Sequence, residues 1–265
     1  MSSFSGLVLS LSALVALVPL GLVRAESRGP LWAAVAVAIV GPAAWLAHSF
    51  GDGWRTGFAI ALWLAILVSM ASYAVLVALV RGAAKLAPLL AAYLVALAVV
   101  ATTWQHAPER PLIGKPPEAW LIAHVLMALV AYGLLTVAAM AGLAVFLQER
   151  ALKTKRPTDF TRRLPSIAEG ETLLAQLLMA SGAVLAVALV SGSVLSWFTF
   201  AAPLKLDHKT VLSFATFLAI AGLLFVHRRG GISGRRAARY VLFAYLLLTL
   251  AYPGVKFVTD VIVGE

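Results

Sequence analysis

Long apolar runs alternate along the chain with short breaks that gather most of its Arg and Lys. The runs predict helices near residues 5–23, 31–50, 56–80, 86–104, 119–148, 172–199, 209–227 and 237–260. Each is long enough to cross a hydrocarbon core of roughly 30 Å at about 1.5 Å per residue. A chain in lipid must satisfy its backbone polar groups internally, and the runs lack the apolar–polar alternation of barrel strands, so helices are the expected elements. The predicted fold class is all-α: a polytopic membrane protein with about eight transmembrane helices, forming a single integral membrane domain over residues 1–265. The first run, Leu7 to Val23, is preceded by none of the basic residues that a secretory signal carries, and is expected to stay as the first helix.

Composition and charge sharpen the picture. Of the residues, 62% are hydrophobic and 12% charged, with a mean hydropathy of +0.96. A soluble domain of this size cannot hide so much apolar surface, so the lipid bilayer is the first partner. The formal charge of +10 does not point to nucleic acid, because the basic residues sit in short blocks between apolar runs, as membrane anchors do. With an outside N-terminus, the inner loops hold Arg24, Arg28, Arg81, Lys85, the group from Arg150 to Arg163, Arg228, Arg229, Arg235, Arg236 and Arg239, which is 15 of the 21 Lys and Arg. The outer segments hold Arg55, Arg110, Lys115, Lys205, Lys209 and Lys256. This asymmetry predicts that both termini lie on the outer side of a bacterial inner membrane. The absence of cysteine excludes disulfides, thiolate metal sites and covalent haem attachment. The longest inner loop, Arg150 to Glu171, ends in Ser166-Ile167-Ala168-Glu169, a capping box expected to start the sixth helix or a short surface helix leading into it. Small-residue pairs, Ala138 with Gly142 and Gly182 with Ala186, are expected to let helices pack closely.

An ionisable side chain in the hydrocarbon region costs a few kcal/mol, so each one needs a reason to be there. Of the five histidines, His48, His106, His124 and His208 fall on or near the outer side, and His227 at the inner end of its helix. His124 lies about a turn and a half inside the fifth helix, and His48 at similar depth in the second, six residues after Pro42. Packing or snorkelling accounts for a lone histidine. Two at matching depth also fit axial ligation of haem iron, since a membrane offers the apolar slot that a porphyrin needs. His208 and His227 stand on one helix about 28 Å apart, whereas axial nitrogens lie about 4 Å from each other, so an inner histidine cannot pair with an outer one. His48 with His124 is the natural pair, and His208 a substitute for either. Pro42 and Pro253 would bend their helices in the outer half. Trp197 fits an interfacial belt, or a shelf for a flat macrocycle whose propionates meet Lys209 or Lys256. No Ser-His-Asp set, nucleotide-binding loop or paired carboxylates stand in the membrane segments, so no enzymatic activity is expected.

The run Trp120-Leu121-Ile122-Ala123-His124-Val125, with Tyr132 and the ending Gln148-Glu149-Arg150, resembles the histidine-bearing helix of the cytochrome c assembly family. Gly192, Asp207, Lys209 and the pair His227-Arg228 resemble that family's later segment. The resemblance covers roughly residues 60–260, and is nearest the short eight-helix HemX-like subgroup, with Arg235-Arg236 and the ending Tyr252-Pro253-Gly254 among the similar positions. The chain departs from the pattern in its lone Trp197, in His208 where a proline is usual, and in lacking a histidine near Pro253 to Phe257. The resemblance implies a haem-interacting membrane protein that assists haem handling or cytochrome c biogenesis. Haem b would be held non-covalently, with His124 and His48 as iron ligands and His208, His227, Trp197, Lys209 and Lys256 as further contacts. Its partners would be other biogenesis or haem-synthesis proteins. Two alternatives stand beside it: a regulator docking a haem-synthesis enzyme through the basic inner loop, and a small-molecule permease.

Overall fold

The computed structural model describes residues 3–51, 55–107, 110–111, 118–200, 207–229 and 234–263. In chain order its helices are α1 (Ser3–Val15), α2 (Val18–Leu22), α3 (Arg28–Ser49), α4 (Phe58–Leu79), α5 (Ala87–Thr103), α6 (Glu118–Lys153), α7 (Asp159–Arg163), α8 (Ile167–Phe200), α9 (His208–Arg228) and α10 (Gly234–Thr249). Among the described residues, seven helices are long and apolar enough to cross a membrane. They match the second to eighth predicted runs. The first run is a shorter apolar segment, Gly6–Leu22, broken between α1 and α2. Pro19 explains the break, since its ring clashes with the carbonyl of Val15, where α1 ends.

The helices fall into two compact units. The first consists of Met1–Leu112, Thr158–Pro165 and Lys256–Glu265. At its heart is α4, whose Trp63, Ile66, Met70 and Tyr73 are fully buried. Helices α1 and α3 approach so closely that a Cβ at Gly41 would fall 2.6 Å from Ala16 Cβ. Polar side chains there are consumed pairwise: Trp45 Nε1 donates to Ser10 Oγ at 2.7 Å, and Ser10 donates to Gln105 Oε1 at 2.8 Å. Phe58, Trp104 and Phe257 make a three-ring cluster with centroids 5.3 to 6.4 Å apart. Strands β1 (Arg55–Thr56) and β2 (Arg110–Pro111) pair antiparallel, Arg55 opposite Pro111.

The second unit consists of Ile113–Pro157 and Ser166–Val255. Small residues let its helices meet: Gly142 of α6 lies on the Ala238 backbone of α10, and Gly182 of α8 on Ile220 of α9. Both were among the expected packing positions. Between α6 and α10, Tyr132 and Tyr245 share a hydrogen bond at 3.1 Å, and Thr136 Oγ1 donates to Tyr245 at 3.2 Å. Each hydroxyl thereby keeps a partner in an interior without water.

The loop from Arg150 to Glu171 is more helical than its charge implies, since α6 runs to Lys153 and α8 begins at Ile167. The Ser166 box forms as expected and starts α8: Ser166 N donates to Glu169 Oε2 at 2.9 Å and Glu169 N to Ser166 Oγ at 3.3 Å. A second box, Thr158 with Thr161, starts α7. Beyond α10 the chain widens into π-helical turns at Leu250–Gly254 and Val258–Val263. Pro253 has no N–H to give, and the Val255 N–H reaches back five residues to Leu250 O.

Candidate functional site

The α6–α8 seam holds the candidate site, and the spacing of its residues creates it. Trp120 and His124 are four apart on α6 and share a face, while Ala188, Ser191, Gly192 and Ser196 recur at helical spacing on α8. Trp120 Nε1 donates to the Ser191 carbonyl at 3.3 Å. One turn along α6, the imidazole of His124 lies edge-on to Gly192: a Cβ there would fall 2.9 Å from Cε1, and 3.5 and 3.6 Å from Nε2 and Nδ1. A side chain in place of Gly192 would require the imidazole to shift. The Ala188 carbonyl is the backbone group facing the imidazole. His124 Nδ1, Ser191 Oγ and Ser196 Oγ are all buried and have no hydrogen-bond partner among the described residues. Buried polar atoms are nearly always paired, so three unpaired ones in one seam mark a place where a further polar or metal-centred group would be accommodated. Sequence resemblance had named His124 and Gly192 separately; the fold puts them in contact.

The other predicted site residues are distributed as follows. His48 sits in the last turn of α3 and is exposed. It belongs to the first unit, whereas His124 belongs to the second. His208 and Lys209 open α9, both exposed, with Asp207 Oδ1 accepting the Thr210 N–H at 2.8 Å as a helix cap. His227 lies near the other end of the same helix, so His208 and His227 are indeed a helix length apart. The side chains of His227, Arg228 and Phe200 and the stretch 201–206 lie outside the described residues. Trp197 is 57% exposed near the end of α8. Lys256 is not a bare cation: its Nζ lies 3.5 Å from Asp260 Oδ2, a carboxylate only 5% exposed. The sequence reading missed Asp260, although its i,i+4 spacing from Lys256 was visible.

A second feature escaped it as well. At the start of α10 the Gly234 N–H donates to Glu171 Oε1 at 2.5 Å and the Arg235 N–H to Glu149 Oε1 at 3.0 Å. Two carboxylates from α6 and α8 thus satisfy the orphan donors and positive end of α10. Arg235 places its guanidinium 4.9 Å over the Phe146 ring.

Apolar spans with internally paired backbones, and a half-buried imidazole between two of them, define a multi-pass helical membrane protein. More particularly, the chain belongs to the cytochrome c assembly protein family, whose model matches residues 36–263. It is similar to an uncharacterized 28.8 kDa protein in the nifR3-like 5' region of Azospirillum brasilense, 46% identical over 267 residues that cover 97% of this chain and 98% of that one. No solved structure matches. The family sets a general role in haem handling and cytochrome c biogenesis.

Proposed function

We propose that this chain is a non-enzymatic, haem-interacting protein of the bacterial inner membrane. It crosses the bilayer eight times with both termini outside, and is nearest the short HemX-like branch of its family. Haem b is held non-covalently in the outer half, with His124 as an iron ligand. The observation that carries this reading is the half-buried His124 imidazole, fitted over Gly192 and left with an unpaired Nδ1. The donor set suits the group: haem, when bound, would supply an iron that a neutral imidazole nitrogen could hold. His124 binds, Gly192 makes room, and the apolar faces of α6 and α8 exclude water. His208, exposed at the start of α9 in the same unit as His124, is the proposed second ligand, and His227 is left for the inner side. Exposed Trp197 and Lys209 suit the macrocycle and its propionates better than Lys256, which Asp260 already engages.

The test is spectroscopic. Detergent-solubilised protein titrated with haemin should develop a Soret band that His124→Ala shifts or abolishes and His106→Ala leaves in place. A protein that takes up no haemin, or a His124→Ala variant with an unaltered spectrum, overturns the reading. His208→Ala asks separately whether the second ligand is His208.

A further inference from the structure

We propose that a zwitterionic phospholipid with an ethanolamine head docks where α8, α9 and α10 meet, with an acyl chain in an apolar slot, its ammonium on Glu171 and its phosphate on Arg229 and Arg236. The inference goes beyond the haem reading and does not depend on it. The slot lies wholly within the second unit and holds about 320 Å³ including its open side. That is the small end of the roughly 300 to 1,000 Å³ of ligand cavities, and suits one hydrocarbon chain rather than a macrocycle. Leu178 and Leu223 are buried in its wall, whereas Ala175 and Leu224 are only half-buried, so it opens sideways between α8 and α9. One turn further along, Gly182 of α8 meets Ile220 of α9 and closes it. From Glu171 to Leu178 its lining extends about 10 Å along α8. Lipid tails are as apolar as leucine, so the slot supplies fit, and selectivity has to come from the charges at its end. There, opposite charges stand near one another without cancelling. Glu171 lines the slot and its Oε1 accepts the Gly234 N–H, but no cation pairs with it among the described residues. Arg236 directly precedes Ala237, which also lines the slot, and Arg229 directly follows α9, its guanidinium 4.3 Å over the Phe225 ring. Both arginines are exposed, and no carboxylate pairs with either among the described residues. A carboxylate and two guanidiniums left apart at the end of one apolar slot match an ammonium and a phosphate carried on one head, through charge-assisted hydrogen bonds. An anionic head would set its extra charge against Glu171, and a choline head offers Glu171 no N–H donor.

Native mass spectrometry of the full-length, delipidated protein decides it. In detergent micelles, without haemin, the protein is offered phosphatidylethanolamine, phosphatidylglycerol and phosphatidylcholine of identical acyl chains in equal amounts. A single phosphatidylethanolamine should be retained, about 10-fold more tightly than phosphatidylcholine, the effect of one charge-assisted hydrogen bond. Glu171→Gln should erase that preference. Because Glu171 also caps α10, Glu149→Gln is its control: it loosens the same helix start from outside the slot and should keep the preference. Arg229→Gln combined with Arg236→Gln should weaken retention of all three lipids. Ala175→Leu, which fills the open side of the slot, should do the same, with circular dichroism showing the helices intact. Equal retention of the three lipids, a preference for phosphatidylglycerol, or an ethanolamine preference that survives Glu171→Gln overturns the proposal. Loss of the preference in Glu149→Gln as well assigns it to the helix start and overturns it too, and retention indifferent to Ala175→Leu overturns the seating of the chain in the slot. Haemin uptake by the same protein is a separate measurement, so either reading fails without the other.

Discussion

At Gly41 a single missing carbon sets how closely α1 and α3 approach. A side chain there would meet the Cβ of Ala16 and, at 3.2 Å, the Ala13 backbone, neither of which can swing aside as a long side chain would. Gly41→Val should therefore cost about 1 to 3 kcal/mol, the usual range for overpacking a close contact. Thermal unfolding in detergent should show it as a lowered Tm, with Gly222→Val, where nothing lies within 4 Å of the added Cβ, as the tolerant control. The tyrosine cluster predicts a smaller effect. Tyr245→Phe removes the partner of both Tyr132 and Thr136, but Thr136 retains its bond to the Tyr132 carbonyl at 2.8 Å. Interhelical hydrogen bonds in membranes average about 0.6 kcal/mol, so the loss should be about 1 kcal/mol or less. At this scale the sequence spoke through resemblance more than through physics. His124 stood out because an ionisable group in an apolar run is costly, yet nothing in the pattern revealed that Gly192 was its neighbour, because the pairing of α6 with α8 is tertiary. Glu171 was passed over for a similar reason, since its role exists only once the backbone of α10 arrives, whereas the i,i+4 spacing of Lys256 and Asp260 lay open in the sequence.

The elements were easier to read. Seven of the eight predicted runs became spanning helices within a few residues, because length and apolarity decide that outcome almost alone. The misjudged ends have local causes. Helix α6 continues to Lys153 because Arg150 and Lys153 suit the negative end of a helix, and α8 starts early because the Ser166 box caps it. The start of α10 offers a sharper test. Gly234 has φ of +59°, a left-handed backbone that a side chain strains, and an added Cβ would run into the Glu149 carboxylate that caps the next residue. Gly234→Ala should cost about 1 kcal/mol or more and release that carboxylate. Glu149→Gln and Glu171→Gln keep the shape and remove the charge, each weakening the helix end by about 0.3 to 1 kcal/mol. Hydrogen exchange at the amides of residues 234–238 should quicken in all three variants, while amides in α4 stay protected. Equal protection at both places would mean that the carboxylates merely rest against α10.

For the whole molecule the strongest prediction is sidedness. A reporter fused after Glu265 should be active only where it works outside the cytoplasm, because 15 of the 21 basic residues fall on the opposite face of an eight-crossing chain. If the broken segment Gly6–Leu22 lies along the surface and seven helices cross, the basic loops still keep the C-terminus outside and the N-terminus falls in the cytoplasm, so a second reporter at the N-terminus separates eight crossings from seven, and a cytoplasmic C-terminus overturns the charge argument itself. Helix α6 carries a consequence for the lipid itself. It has 36 residues, about 54 Å of helix, against a hydrocarbon core of roughly 30 Å. From Trp120 to Leu147 it contains no charged residue except the titratable His124, an apolar length of about 40 Å that a bilayer accommodates by tilting the helix. In a thicker membrane the helix stands more upright and in a thinner one it leans. His124, seventh in that helix, changes depth as it does so. Acyl-chain length thus becomes a dial on how far the imidazole lies from water, and its reactivity should fall steadily across nanodiscs of increasing thickness.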